Sequence, residues 1–191
     1  MFGGGNIKGY KIDKEEEIYN ILNILNSIKE NCIDNLMYAI GDGNHSLAAA
    51  KICYEENKTE KNRYALVELE NIYDEAVEFF PINRLLINVD KEKFKKELEI
   101  DINNPPPLQD LQIMLDKFLK NNKNARLEYI HGSEECKKLG SIDGNIPIIY
   151  EKFEKNNFFN DIIKHGSLCR KSFSIGKNID KRYYLESIKI K

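Results

Sequence analysis

Apolar residues along this chain fall into short blocks whose spacing alternates between helical and strand periods. Ile18, Ile21, Leu22, Leu25 and Ile28 recur at three- and four-residue intervals, which predicts an amphipathic helix. Asp13 and Glu16 resemble a capping box at its start, and a glycine-flanked strand over Gly3 to Ile12 precedes it. The apolar run Leu36 to Ile40 stops at Gly41-Asp42-Gly43-Asn44-His45, and strong helix formers then run to about Asn57. That order predicts a strand, a tight turn and a helix. Arg63 to Leu69 and Pro81 to Val89 are further strands, separated by the polar turn Asn71 to Glu75. Pro81 stands at a strand entrance, where a missing N–H does least harm. Asp90 is placed to cap a short helix carrying Phe94 and Leu98.

Asn103-Asn104-Pro105-Pro106-Pro107 interrupts the pattern, because consecutive prolines enforce extended backbone and exclude helix. We place a linker over 103–107, between a first lobe over 1–102 and a second over 108–191. Beyond the linker, Leu108, Leu111, Leu115, Phe118 and Leu119 mark a second amphipathic helix. A strand (Leu127 to Ile130), a helix (Glu134 to Leu139) and a strand (Ile146 to Tyr150) follow. A helix with Phe158, Phe159, Ile162 and Ile163 ends at Gly166, and Arg182 to Ile190 is the closing strand. The fold class is mixed α+β.

Length and composition narrow the function classes. The 191 residues are 41% hydrophobic and 31% charged, enough for a core and against pervasive disorder. A net charge of −2 gives no global electrostatic case for nucleic acid or an anionic membrane. No apolar run approaches the roughly 20 residues that span a bilayer. Cys32, Cys53, Cys136 and Cys169 lie far apart with no zinc-ligand spacing. They are expected to be reduced thiols in a cytoplasmic protein. Only five arginines occur among many lysines, so Arg84, Arg170 and Arg182 are better candidates for specific contacts than a generic cation.

The turn at Gly41 to Ser46 carries the chemistry. Its glycines tolerate positive φ, and the helix behind it offers unpaired N–H groups and the positive end of its dipole. Phosphate is the ligand such a turn suits, with Gly43, Asn44 and Ser46 holding oxygens and Asp42 and His45 beside them. The bland alternative is a capped turn in which Asp42 or Asn44 only bonds backbone amides. The turn is neither a Walker A loop nor a dinucleotide-binding fingerprint. A serine nucleophile at Ser46 fits poorly, because adjacent helical residues point about 100° apart and misplace His45 as its base. A metal held by Asp42, His45 and His131 is a third reading. Arg84, His131, Arg170, Lys171 and Arg182 would add a charge-assisted phosphate cluster if the fold groups them. His165, at a helix end, suits the dipole.

Ala39 to Lys51 resembles the signature of the family called domain of unknown function 1015. Arg63 to Leu69, Phe80 to Arg84, Tyr129 to Gly132, Arg170 to Gly176 and Lys181 to Glu186 resemble the same family, in order along the chain. The family is broadly similar to the ParB/sulfiredoxin superfamily, which includes a free-serine kinase with an Asp-Gly-His-His-Arg loop. The resemblance implies a phosphate- or nucleotide-binding module of small-molecule kinase type, with magnesium as a cofactor where a nucleotide binds. Ser46 stands where that loop has Arg, and Asn83 where the family has His before Arg84. Cys169 stands where related sequences tend to have Pro. The resemblance also implies that the first lobe is the C-terminal part of a ParB-like core. Its remaining strands would come from a separately encoded N-terminal half or from self-association. A regulatory or ligand-binding module that has lost turnover is the alternative, with Glu68 and Glu78 as the acids to locate.

Overall fold

A computed structural model describes residues 8–176. Its elements, in chain order, are α1 (Glu15–Glu30), α2 (Asn44–Glu56), β1 (Phe79–Ile87), α3 (Lys91–Leu98), α4 (Leu108–Asn121), β2 (Arg126–His131), α5 (Ser133–Gly140), β3 (Ile146–Ile148), α6 (Phe158–His165) and β4 (Phe173–Ile175). Short 3-10 turns lie at Ile33–Asn35, Glu60–Arg63 and Lys155–Asn157. The mixed α+β class predicted from periodicity is what these elements form.

β1 organises the sheet. It pairs antiparallel with β2 (Ile82 opposite His131 through Ile87 opposite Arg126), with β3 over Arg84–Leu86, and with β4 over Phe79–Pro81. Five consecutive residues, Ile82 to Leu86, are buried, so both faces of β1 are covered. Leu86 joins Val89, Phe94, Leu111, Leu115, Phe118, Ile146 and Ile148 in one core against α3 and α4. Phe79 stacks on Phe173 at 4.6 Å and meets Phe158 edge-on, forming an aromatic cluster under β4 and α6. α5 packs tightly on β3, since a Cβ built on Gly140 would lie 2.3 Å from Pro147 Cγ.

Residues on both sides of the proline stretch build this core, so Pro105–Pro107 is a connection within one packing unit. The Tyr150 hydroxyl donates to the Pro106 carbonyl and fastens that connection to the end of β3. Asp90 caps α3 as expected, accepting from the Glu92 and Lys93 amides at 3.0 Å.

The first part of the chain differs from expectation. α1 starts at Glu15 after an extended Lys14 with no side-chain cap, and Asp13 pairs with Lys11 instead of closing a capping box. Neither α1 nor α2 buries a residue. The segments at Leu36–Ile40 and Tyr64–Leu69 are not laddered strands, and residues 8–12 are likewise outside any strand. A strand exists only against a neighbour, and among the described residues none lies beside these segments. Leu66 is 87% exposed and Ile24 60%, so the apolar pattern is real but uncovered. β4 was not anticipated, and the expected strand from Arg182 to Ile190 lies outside the described residues, as does Gly3 to Ile7.

Candidate functional site

The turn before α2 has the backbone its glycines suggest. Gly43 sits at φ 87°, ψ 17°, the left-handed region, and its carbonyl accepts the first helical bond from the Leu47 amide at 3.0 Å. Gly43 has no side chain to cap α2, and among the described residues the Asn44, His45 and Ser46 amides have no capping partner. The Asp42 Oδ1 accepts from the adjacent Gly43 amide at 2.8 Å, a bond within the turn that leaves the helix end open. Asp42, Asn44, His45 and Ser46 are exposed. Gly41 rests against β4, where an added Cβ would lie 3.2 Å from Ile175 Cδ1. That contact sets the turn beside the end of β4.

On β4, Ser174 and the following Gly176 line a cavity of about 360 Å³, together with Phe80, Asn83, His131, Ser133 and Tyr150. Asn83 and Arg84 are neighbours in sequence, and strand alternation sends them to opposite faces. Asn83 faces the cavity. Its Oδ1 accepts from the Tyr150 amide at 3.0 Å, and the residue is 1% exposed. Sequence reasoning treated Asn83 only as a missing histidine. A lone amide inside an apolar strand was the available sign of a polar pocket.

Arg84 points into the α4 side and is fully buried. Its nitrogens donate to Gln112 Oε1 (3.3 Å), the Ile82 and Lys171 carbonyls, the Arg170 carbonyl (3.0 Å) and Cys169 Sγ (3.7 Å). The Tyr129 ring lies 4.9 Å from the guanidinium carbon, a cation–π contact. Burial lowers its pKa from the ordinary value, while Cys169, Tyr129 and Tyr150 act in the other direction. With its donors committed to protein acceptors, Arg84 is placed as a staple between β1 and residues 169–172 rather than against a ligand. Its partner loop includes the exposed Arg170 and Lys171, with Arg170 5.8 Å from the Tyr129 ring.

The expected site residues therefore gather in two groups. Arg84, His131, Arg170 and Lys171 lie around the end of the sheet formed by β1 and β2. Asp42, Gly43, Asn44, His45 and Ser46 share the turn. Arg182 lies outside the described residues. Among the described residues, no three His, Cys, Asp or Glu side chains are grouped to hold a metal ion, so Asp42, His45 and His131 do not form the metal set considered above. All four cysteines are free thiols, and burial pushes Cys136 up to about 11. Among the described residues no helix is long and apolar enough to cross a membrane.

The family model for a protein of unknown function, DUF1015, matches residues 2–158. This chain belongs to the DUF1015 family. The matched span takes in the Gly41–Ser46 turn, all of β1 to β3 and the first residue of α6, so the turn and most of the cavity wall are family territory in DUF1015. No curated protein and no solved structure matches this chain.

Proposed function

We propose that this DUF1015 chain is a cytoplasmic phosphate- or nucleotide-binding module, related through a ParB-like core to small-molecule kinases. The observation that carries the reading is the uncapped start of α2 behind a left-handed Gly43. Three amides and the helix dipole there suit an anion. His45 adds a donor, and Asp42 is the carboxylate available as a base or as a magnesium ligand beside nucleotide phosphates. Phosphoryl transfer needs positioning and charge neutralisation more than covalent chemistry, which this residue set suits.

Binding without turnover is the second reading. Glu68 lies in an exposed extended segment, and Glu78 offers Gly176 its backbone carbonyl at 2.9 Å. Neither carboxylate hydrogen-bonds or ion-pairs with the turn among the described residues. Calorimetry with ADP, ATP and phosphoserine tests the shared claim. The expected result is a saturable heat with a nucleotide, lost in His45→Ala and in Gly43→Val. Absence of heat with all three at millimolar ligand, on a chain shown to be folded, would overturn it.

A further inference from the structure

The cavity beside α5 contains a donor with no partner among the described residues. A backbone N–H, that of Tyr150, faces one end of the Asn83 amide, so that end is the oxygen and the NH2 group is the other. Asn83 Nδ2 makes no hydrogen bond to any described residue, although the side chain is buried. Among the described residues no fully enclosed side-chain polar atom lacks a partner, which puts this nitrogen on the wall of the cavity that Asn83 lines. A buried amide left with an open donor is costly unless something accepts from it.

The same cavity reaches the start of α5, which also has no side-chain cap because its N-cap is Gly132, at φ 85°. Ser133, the first helical residue, lines the wall. Amide donors of β1 and α5 therefore converge on one space with room for a small molecule, near the low end of the usual range for ligand sites. The rim carries the opposite sign. Glu151 is exposed at the rim, and Lys137, which feels its charge, is already paired with Glu134 at 2.9 Å. A dianion would meet that carboxylate unfavourably, whereas a planar monoanion fits the donors and leaves Glu151 for an amine or hydroxyl on the same molecule.

We infer that this cavity binds the carboxylate of a small amine- or hydroxyl-bearing molecule, with Asn83 Nδ2 and the Ser133 amide as donors. The site stands on different residues from the turn at Gly43 and does not depend on it. Residue-resolved NMR of the full chain, titrated separately with acetate, glycine and inorganic phosphate, tests it. Acetate should shift the Asn83 side-chain NH2 pair and the Ser133 and Glu134 amides saturably. Glycine should bind more tightly than acetate, and phosphate more weakly than either at these amides. Asn83→Asp should lower glycine affinity at least tenfold. Ser133→Pro removes one donor at a helix position that tolerates proline, and should weaken binding severalfold with the fold intact. Unsaturable shifts, tighter binding of phosphate than of acetate, or unchanged affinity in the folded Ser133→Pro chain would each overturn the inference. Shifts confined to Gly43–Ser46 would overturn it too, and would leave the turn's anion site standing.

Discussion

Arg84 is a cation buried with no carboxylate pair among the described residues, held by carbonyls, a thiol and an aromatic face. Arg84→Met would leave the Ile82, Arg170 and Lys171 carbonyls without their donor. An orphaned buried polar group costs about 1–3 kcal/mol, so the variant should lose on the order of 3 kcal/mol of unfolding free energy, read from urea midpoints. Arg84→Lys keeps the charge but not the planar fork and should fall between the two. Tyr150 supplies a pH test. Burial pushes its hydroxyl from 10.0 up to about 12, with the Arg84 charge opposing that shift. The unfolded chain releases this proton first, so stability present below pH 10 declines as pH rises toward about 12. Cys136, raised from 9.0 to about 11, adds to the same alkaline decline. Melting temperatures should drop across this window, and Tyr150→Phe should flatten the upper part of the drop. An unchanged alkaline profile in Tyr150→Phe would contradict the assignment. Asn83 and Arg84 were both visible in the sequence, but their separation onto opposite faces needed the strand period and the register to be read together.

At the level of elements, β1, β2, β3 and α3 to α6 were legible because each carries its period and its own partner within the chain. Asp90 at a helix start and Gly166 at a helix end were legible for local reasons, a side-chain cap and a positive φ of 82°. Leu36–Ile40 and Arg63–Leu69 show the limit. Apolar patterning reports which face wants cover, while a ladder depends on a neighbour that local sequence does not encode. β4 escaped because three residues carry too little pattern. Gly140 was not singled out either, although its place against Pro147 leaves no room for a methyl group. Gly140→Ala should therefore destabilise by about 1–3 kcal/mol through overpacking, despite Ala being the better helix former. A neutral or stabilising result in denaturant unfolding would show that α5 can move off β3.

For the whole molecule, packing is uneven. Residues 79–176 build a core from both sides of the proline stretch, whereas α1, α2 and the extended segments beside them bury nothing of their own. Apolar surface left open on this scale favours association, as do unpaired extended segments. We propose that strands from another copy of this chain cover it. Sedimentation of the chain alone should then show self-association. A sharp-melting ideal monomer would contradict that proposal. The central claim is that the Gly43 turn binds phosphate, and the most direct measurement is a residue-resolved NMR titration with ADP. The account predicts saturable shifts in the Gly43, Asn44, His45 and Ser46 amides, abolished by His45→Ala with the shifts of β1 to β3 unmoved. Saturable ADP binding that leaves those four amides untouched, or no ADP binding by the folded chain, would contradict it.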